Sequence, residues 1–177
     1  MKHLEKSELT ALLTEAKRCN ELHWLAFLTA YWHGLRVSEV LSLTPADFKD
    51  GFIVINRKKG SKKTVQPLVF STDLLYNERD ALKRVCASIP IYQRIFPFSI
   101  RWMQKFMHKY GERVGIPAHK RSPHKLKHSI AHHCLDGGMK INELQAYLGH
   151  CSLNSTGQYL KCDQDQACKA MGKALGV

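Results

Sequence analysis

The stretch "GFIVINRKKGSKKTVQPLVF", Gly51 to Phe70, is where the hydrophobic spacing of this chain changes period. Two β-type runs, GFIVIN and TVQPLVF, flank the basic turn RKKGSKK (Arg57 to Lys63), a pattern that predicts a β-hairpin. The sequence on either side is spaced for helices. Upstream, "SELTALLTEAKR" offers Ser7 as an N-cap and sets Leu9, Leu12, Leu13 and Ala16 on one apolar stripe. "ELHWLAFLTAYWHG" continues as a more buried helix that stops at Gly34, and its Trp24, Phe27, Tyr31 and Trp32 are assigned to the core. A short helix is expected from about Ser38, ended by Pro45. Downstream, helices are expected over 72–88, 99–115, 124–136, 140–148 and 152–161, with a final amphipathic piece from 165. No internal repeat or low-complexity linker interrupts the chain. The expectation is one domain over 1–177, mostly α, carrying a small antiparallel β-hairpin sheet.

Composition narrows the function. The chain has 27 Lys plus Arg against 15 Asp plus Glu, a net charge of +12 over 177 residues. Such an excess repels itself and is usually kept for a polyanion, nucleic acid first and a membrane surface second. No apolar run approaches the ~20 residues that cross a bilayer, and "MKHLEKSELT" lacks the apolar core of a signal peptide. Cysteines stand at 19, 86, 134, 151, 162 and 168 with no close CxxC pair, the usage expected of reduced thiols. The expected location is the cytoplasm.

Four separated segments hold the residue types that chemistry on a phosphate requires. "HGLRVSEVLSL" places Arg36 just after a glycine-terminated helix, and the hairpin tip holds Lys59 beside Gly60. "SPHKLKHSIAHHCLDGG" sets His124 and Lys127 three apart on one helical face, and "LGHCSLNSTGQYLK" sets His150 nine residues before Tyr159. Each has a plainer alternative. Arg36 is also suited to capping the preceding helix, Tyr159 to half-burial, and Lys59 to a solvated basic hairpin shared with Arg57, Lys58, Lys62 and Lys63. His124, His128, His132, Cys134, His150 and Cys151 also allow a zinc reading, but no acidic partner for such ligands is apparent.

In this order the segments resemble the tyrosine recombinases, or phage integrase family. The family pattern is an arginine in GLRxSE, a lysine in a β-hairpin, then HxLRH, LGH and TxxY. Here it appears as Gly34-Leu35-Arg36-Val37-Ser38-Glu39, Lys59-Gly60, His124-Lys125-Leu126-Lys127-His128, Leu148-Gly149-His150 and Thr156-Gly157-Gln158-Tyr159. The resemblance implies a recombinase catalytic domain that cuts and rejoins double-stranded DNA without metal, ATP or any cofactor. It implies Tyr159 as nucleophile, leaving a 3′-phosphotyrosyl link and a free 5′-hydroxyl. Arg36 and His150 would contact the scissile phosphate, and Lys59 (with Lys58 and Lys62 as rivals) would protonate the leaving oxygen. His124 would assist tyrosine deprotonation or touch the phosphate, and Glu39 would orient Arg36. Lys58, Lys62, Lys63, Arg121 and Lys125 are the expected DNA-backbone contacts. Partners implied are DNA, further copies of the chain (a tetramer on DNA) and DNA-bending accessory proteins. The stripe Ala167, Ala170, Met171, Ala174 and Leu175 would dock on a neighbouring subunit.

Two departures from the family pattern qualify this reading. Lys127 stands where the family has a second arginine, keeping the charge but losing the planar bidentate fork, so a slower enzyme is expected. The chain also begins almost at the catalytic domain, as an excised fragment or a short single-domain recombinase would. The rival readings are a recombinase-like regulator that binds DNA without cutting it, and a topoisomerase that reseals the same ends.

Overall fold

The computed structural model describes residues 3–57 and 61–149. Helix α1 (Lys6–Cys19) starts two residues earlier than expected, because Glu5 and not Ser7 is the N-cap. The Glu8 carboxylate accepts the Glu5 amide at 2.7 Å, and the Leu9 amide donates to the Glu5 carbonyl at 2.9 Å. Leu9, Leu12, Leu13 and Ala16 form the buried stripe that the spacing predicts. Asn20 caps α2 (Glu21–Trp32) by accepting from the Leu22 and His23 amides at 2.9 and 3.1 Å. Helix α2 is buried from Trp24 through Tyr31 and forms the axis of the domain. Around it pack α1, α3 (Val37–Val40), α4 (Glu78–Ala87) and α6 (His124–Asp136). Helix α5 (Ile100–Arg113) leans on α1, and α7 (Ile141–Leu148) on α6.

The sheet has three strands where the sequence pattern predicts two. β1 (Phe48–Lys49) pairs with β2 (Phe52–Ile55), and β2 with β3 (Thr64–Pro67), all antiparallel, with Val54 opposite Val65 and Ile55 opposite Thr64. Asp50 and Gly51 join the first pair at φ of 51° and 81°, the positive values that a two-residue hairpin needs. Two more elements differ from expectation. The helix expected over 72–88 begins only at Glu78, because Asp73 takes the chain through a side-chain turn and Asn77 accepts the Asp80 amide as the true cap. The helix expected up to Pro45 ends at Val40, and Pro45 instead opens a short 3-10 turn, Pro45–Asp47.

The N-terminal strap is bonded to α6. The Leu4 amide donates to Ser129 Oγ at 2.9 Å, and His133 Nε2 donates to the Leu4 carbonyl at 2.9 Å. That bond fixes the tautomer, so the Tyr31 hydroxyl donates to His133 Nδ1, also at 2.9 Å. His3 stacks on His132 with ring centres 4.1 Å apart. Burial pushes the His3 and His133 imidazoles below their usual range. His128 is pushed down to about 4 by burial first and then by the charges of Lys125, His124, His132 and Lys127. A histidine held neutral in the fold contributes stability that is present above the unfolded value of 6.5 and is lost as pH falls toward 4. Urea unfolding should therefore give a free energy lower by about 1 kcal/mol or more at pH 5.5 than at pH 7.5. Replacing His128 with glutamine should reduce that difference, leaving the part that His3 and His133 contribute.

Candidate active site

Helix α2 ends at Gly34, whose φ of +57° turns the chain sharply; a Cβ there would run into Leu148 Cδ2 of α7. The turn delivers Arg36 to the N-cap of α3. The Glu39 carboxylate grips it twice, accepting the Arg36 amide at 2.8 Å and its Nη1 at 2.9 Å. Glu39 is buried while Arg36 keeps part of its guanidinium open, so the carboxylate aims the arginine from below. This is the geometry expected of Glu39.

Arg57 departs most from expectation. The sequence groups it with the lysines of a solvated hairpin turn, yet its side chain is 0 % exposed. Its guanidinium donates to the carbonyls of His33 at 2.9 Å, Gly34 at 3.0 Å and Tyr147 at 3.3 Å, and to Thr64 Oγ1 at 3.1 Å. Glu39 lies 3.8 Å away on the remaining side.

Helix α6 carries His124 at its exposed first position and Lys127 one turn on, at 7 % exposure. Lys127 Nζ has no hydrogen-bond partner among the described residues. Burial first, then the charges of Arg36 and Arg57, push its ammonium down to about 8, with Glu39 pulling the other way. An ammonium desolvated beside two guanidiniums is costly unless an anion joins it. The arrangement suits an anion, to which Lys127 would bring a point charge beside the partly open Arg36.

The end of α7 closes against the hairpin. Gly149, at φ +68°, caps the helix and lies so close to the sheet that a Cβ would be 2.7 Å from the Lys62 carbonyl oxygen. The Lys62 amide donates to the Gly149 carbonyl at 2.8 Å. The arm that follows the hairpin tip is thus fixed to the residue that precedes His150.

Of the predicted site residues, Arg36 and Lys127 share one electrostatic environment and His124 sits a turn away. Lys62 and Lys63 are exposed, and Lys125 is half-buried. Arg121 is engaged, donating to the Ile116 carbonyl at 2.6 Å and to Glu112 at 3.0 Å. Lys58, Lys59, His150 and Tyr159 lie outside the described residues, as do the helices expected at 152–161 and from 165. Among the described residues no three His, Cys, Asp or Glu converge to hold a metal, and no helix is long and apolar enough to cross a membrane.

Residues 2–166 match the phage integrase family, to which this chain belongs. It is 31% identical over 179 residues to tyrosine recombinase XerA of Thermococcus onnurineus, covering 98% of this chain and 62% of that protein. It is 32% identical over 176 residues to tyrosine recombinase XerC of Agrobacterium fabrum, covering 92% and 55%. The chain thus spans about three fifths of the length of these relatives. The fold agrees with the catalytic domain of bacteriophage HP1 integrase at a TM-score of 0.67 and 21% identity, over 96% of this chain and 94% of that one. It also agrees with the XerH recombinase bound to its difH substrate at a TM-score of 0.76 and 19% identity, over 97% and 54%.

Proposed function

We propose that this chain is the catalytic part of a site-specific recombinase that cleaves and rejoins double-stranded DNA through a phosphotyrosyl intermediate. The observation that carries the reading is Lys127 Nζ, buried and unpartnered among the described residues beside an Arg36 that Glu39 has already aimed. A non-bridging phosphate oxygen supplies the missing partner. Negative charge on those oxygens grows as phosphorus becomes five-coordinate, so fixed cations favour the transition state over the ground state.

In this reading Tyr159 Oη attacks phosphorus, the O–P bond forms as the P–O5′ bond breaks, and Lys59 gives its proton to the departing oxygen. His150 adds a donor to the phosphate, and His124 takes the tyrosine proton or joins the phosphate contacts. The bond energy is kept in the protein link, so a second 5′-hydroxyl reverses the step without ATP. Lys58, Lys62, Lys63 and Lys125 line the DNA backbone, with Arg121 adding charge while its guanidinium stays bonded within the fold. Several copies assemble on DNA, and the segment after Tyr159 links neighbours.

The test is a covalent adduct. Protein mixed with supercoiled DNA of its native element in EDTA, then quenched in detergent, should yield DNA-linked protein that Tyr159→Phe abolishes. DNA binding with no adduct in the wild-type protein would favour the non-cutting regulator, and relaxed circles without strand exchange would favour a topoisomerase.

A further inference from the structure

We infer that Arg57 is a positioning residue that sets the β2–β3 hairpin, the turn carrying Arg36 and the end of α7 in register with one another. The inference rests on the strand-cleavage reading above for its catalytic consequence, while the geometry stands apart from it.

Arg57 lies at the foot of the β2–β3 turn, two residues before Lys59. Its guanidinium reaches three other parts of the chain: the end of α2 through the His33 and Gly34 carbonyls, the end of α7 through the Tyr147 carbonyl, and β3 through Thr64 Oγ1. Two of these are C-terminal helix carbonyls, where the helix dipole favours a cation. Gly34 is two residues before Arg36, and Tyr147 three before His150. A second brace repeats the tie to α7, since Gln66 Nε2 donates to the same Tyr147 carbonyl at 2.6 Å. One planar group with fixed donor directions therefore joins the three segments that carry Arg36, the hairpin lysine and His150. Lysine has the charge but not the fork, so it serves only one or two of these carbonyls.

Arg57 touches no substrate in this arrangement, so its removal should act through the segments it joins, the hairpin among them. A positioned proton donor contributes typically 10²–10⁴-fold to a cleavage rate. Arg57→Met should cleave ordinary DNA about 100-fold more slowly at saturating protein. A substrate with sulfur in place of the 5′-bridging oxygen leaves as a thiolate and needs no proton, so on it the variant should lose only about tenfold, the part that comes from the segments carrying Arg36 and His150. Arg57→Lys should fall between. An equal loss on both substrates overturns the link to the hairpin lysine.

Amide exchange reads the strut without any chemistry. In Arg57→Met the Lys62 amide, bonded to Gly149, should exchange at least about tenfold faster while Leu12 and Leu13 in α1 keep wild-type protection. An unchanged Lys62 amide overturns the strut whatever the protein cuts. Absence of an adduct from the wild-type protein on either substrate overturns the cleavage reading and leaves the Lys62 result to decide the strut.

Discussion

Lys127→Arg should abolish a fall in DNA affinity that the wild-type protein shows above about pH 8. The Lys127 ammonium lies at about 8 in the free protein because it is buried beside Arg36 and Arg57, with Glu39 pulling the other way. A phosphate bound there favours the protonated form, so binding is strongest below that value. As pH rises the free protein loses this charge first, and affinity falls by up to tenfold per pH unit, one proton being taken up per site. Guanidinium stays charged through this range, so the variant's profile should be flat. Titration calorimetry in buffers of different ionisation heat would measure the proton taken up. Equal profiles for the two proteins would mean that phosphate does not reach Lys127.

The same group costs the empty fold stability. Its protonated form is disfavoured in the folded state, so stability rises as pH climbs from about 8 toward the ordinary value of 10.5. Lys127→Met removes the buried charge and keeps most of the volume. It should unfold with a free energy on the order of 2 kcal/mol above the wild type at pH 7. Cleavage should drop by roughly 10²–10³-fold, the usual loss when one transition-state donor is removed. Higher stability with lower activity separates a functional cation from a structural one, because a structural cation would lose both.

How legible the site was differs from residue to residue. Arg36, His124 and Lys127 could be read because each sits in a short motif whose spacing a helix start or face explains. The grip of Glu39 on Arg36 was expected from the family resemblance, and the contact follows from a buried carboxylate one turn from the N-cap. Arg57 was not. Its neighbours are Lys58 and Lys59, and a run of cations reads as solvated unless something buried needs one of them. What needs it is a pair of helix ends brought together by tertiary packing, and local sequence holds no record of that. His133 was missed likewise: its partners, Leu4 and Tyr31, lie 129 and 102 residues away. Among the elements, the long periodic helices were legible and the short ones were not. The strand β1 is only two residues long, although the Asp50-Gly51 turn beside it was a readable hairpin signal. The stretch ahead of α4 has helical spacing, but Asp73 and Asn77 spend their side chains on backbone amides and delay the helix to Glu78.

Gly149→Ala should be among the most damaging single-methyl changes in the described chain, and Gly115→Ala shows why. The two glycines have similar positive φ, +68° and +74°. At Gly115 nothing lies within 4 Å of an added Cβ, so alanine there bears only the cost of a left-handed backbone, about 1 kcal/mol. At Gly149 the same carbon meets the Lys62 carbonyl oxygen at 2.7 Å and Thr64 Cγ2 at 2.9 Å, and a backbone oxygen cannot swing aside. Relief requires α7 and the hairpin to part, breaking the bond from the Lys62 amide to Gly149. Overpacking and the lost bond bring the expected cost to about 3 kcal/mol. For a chain of this size that lowers the melting temperature by about 9 °C, against about 3 °C for the Gly115 control. Cleavage should suffer beyond the loss of stability, by about 100-fold at a temperature where both variants stay folded, because the end of α7 and the hairpin move apart. Equal melting temperatures for the two variants would mean that α7 and the hairpin yield freely, and that the site's geometry is held elsewhere.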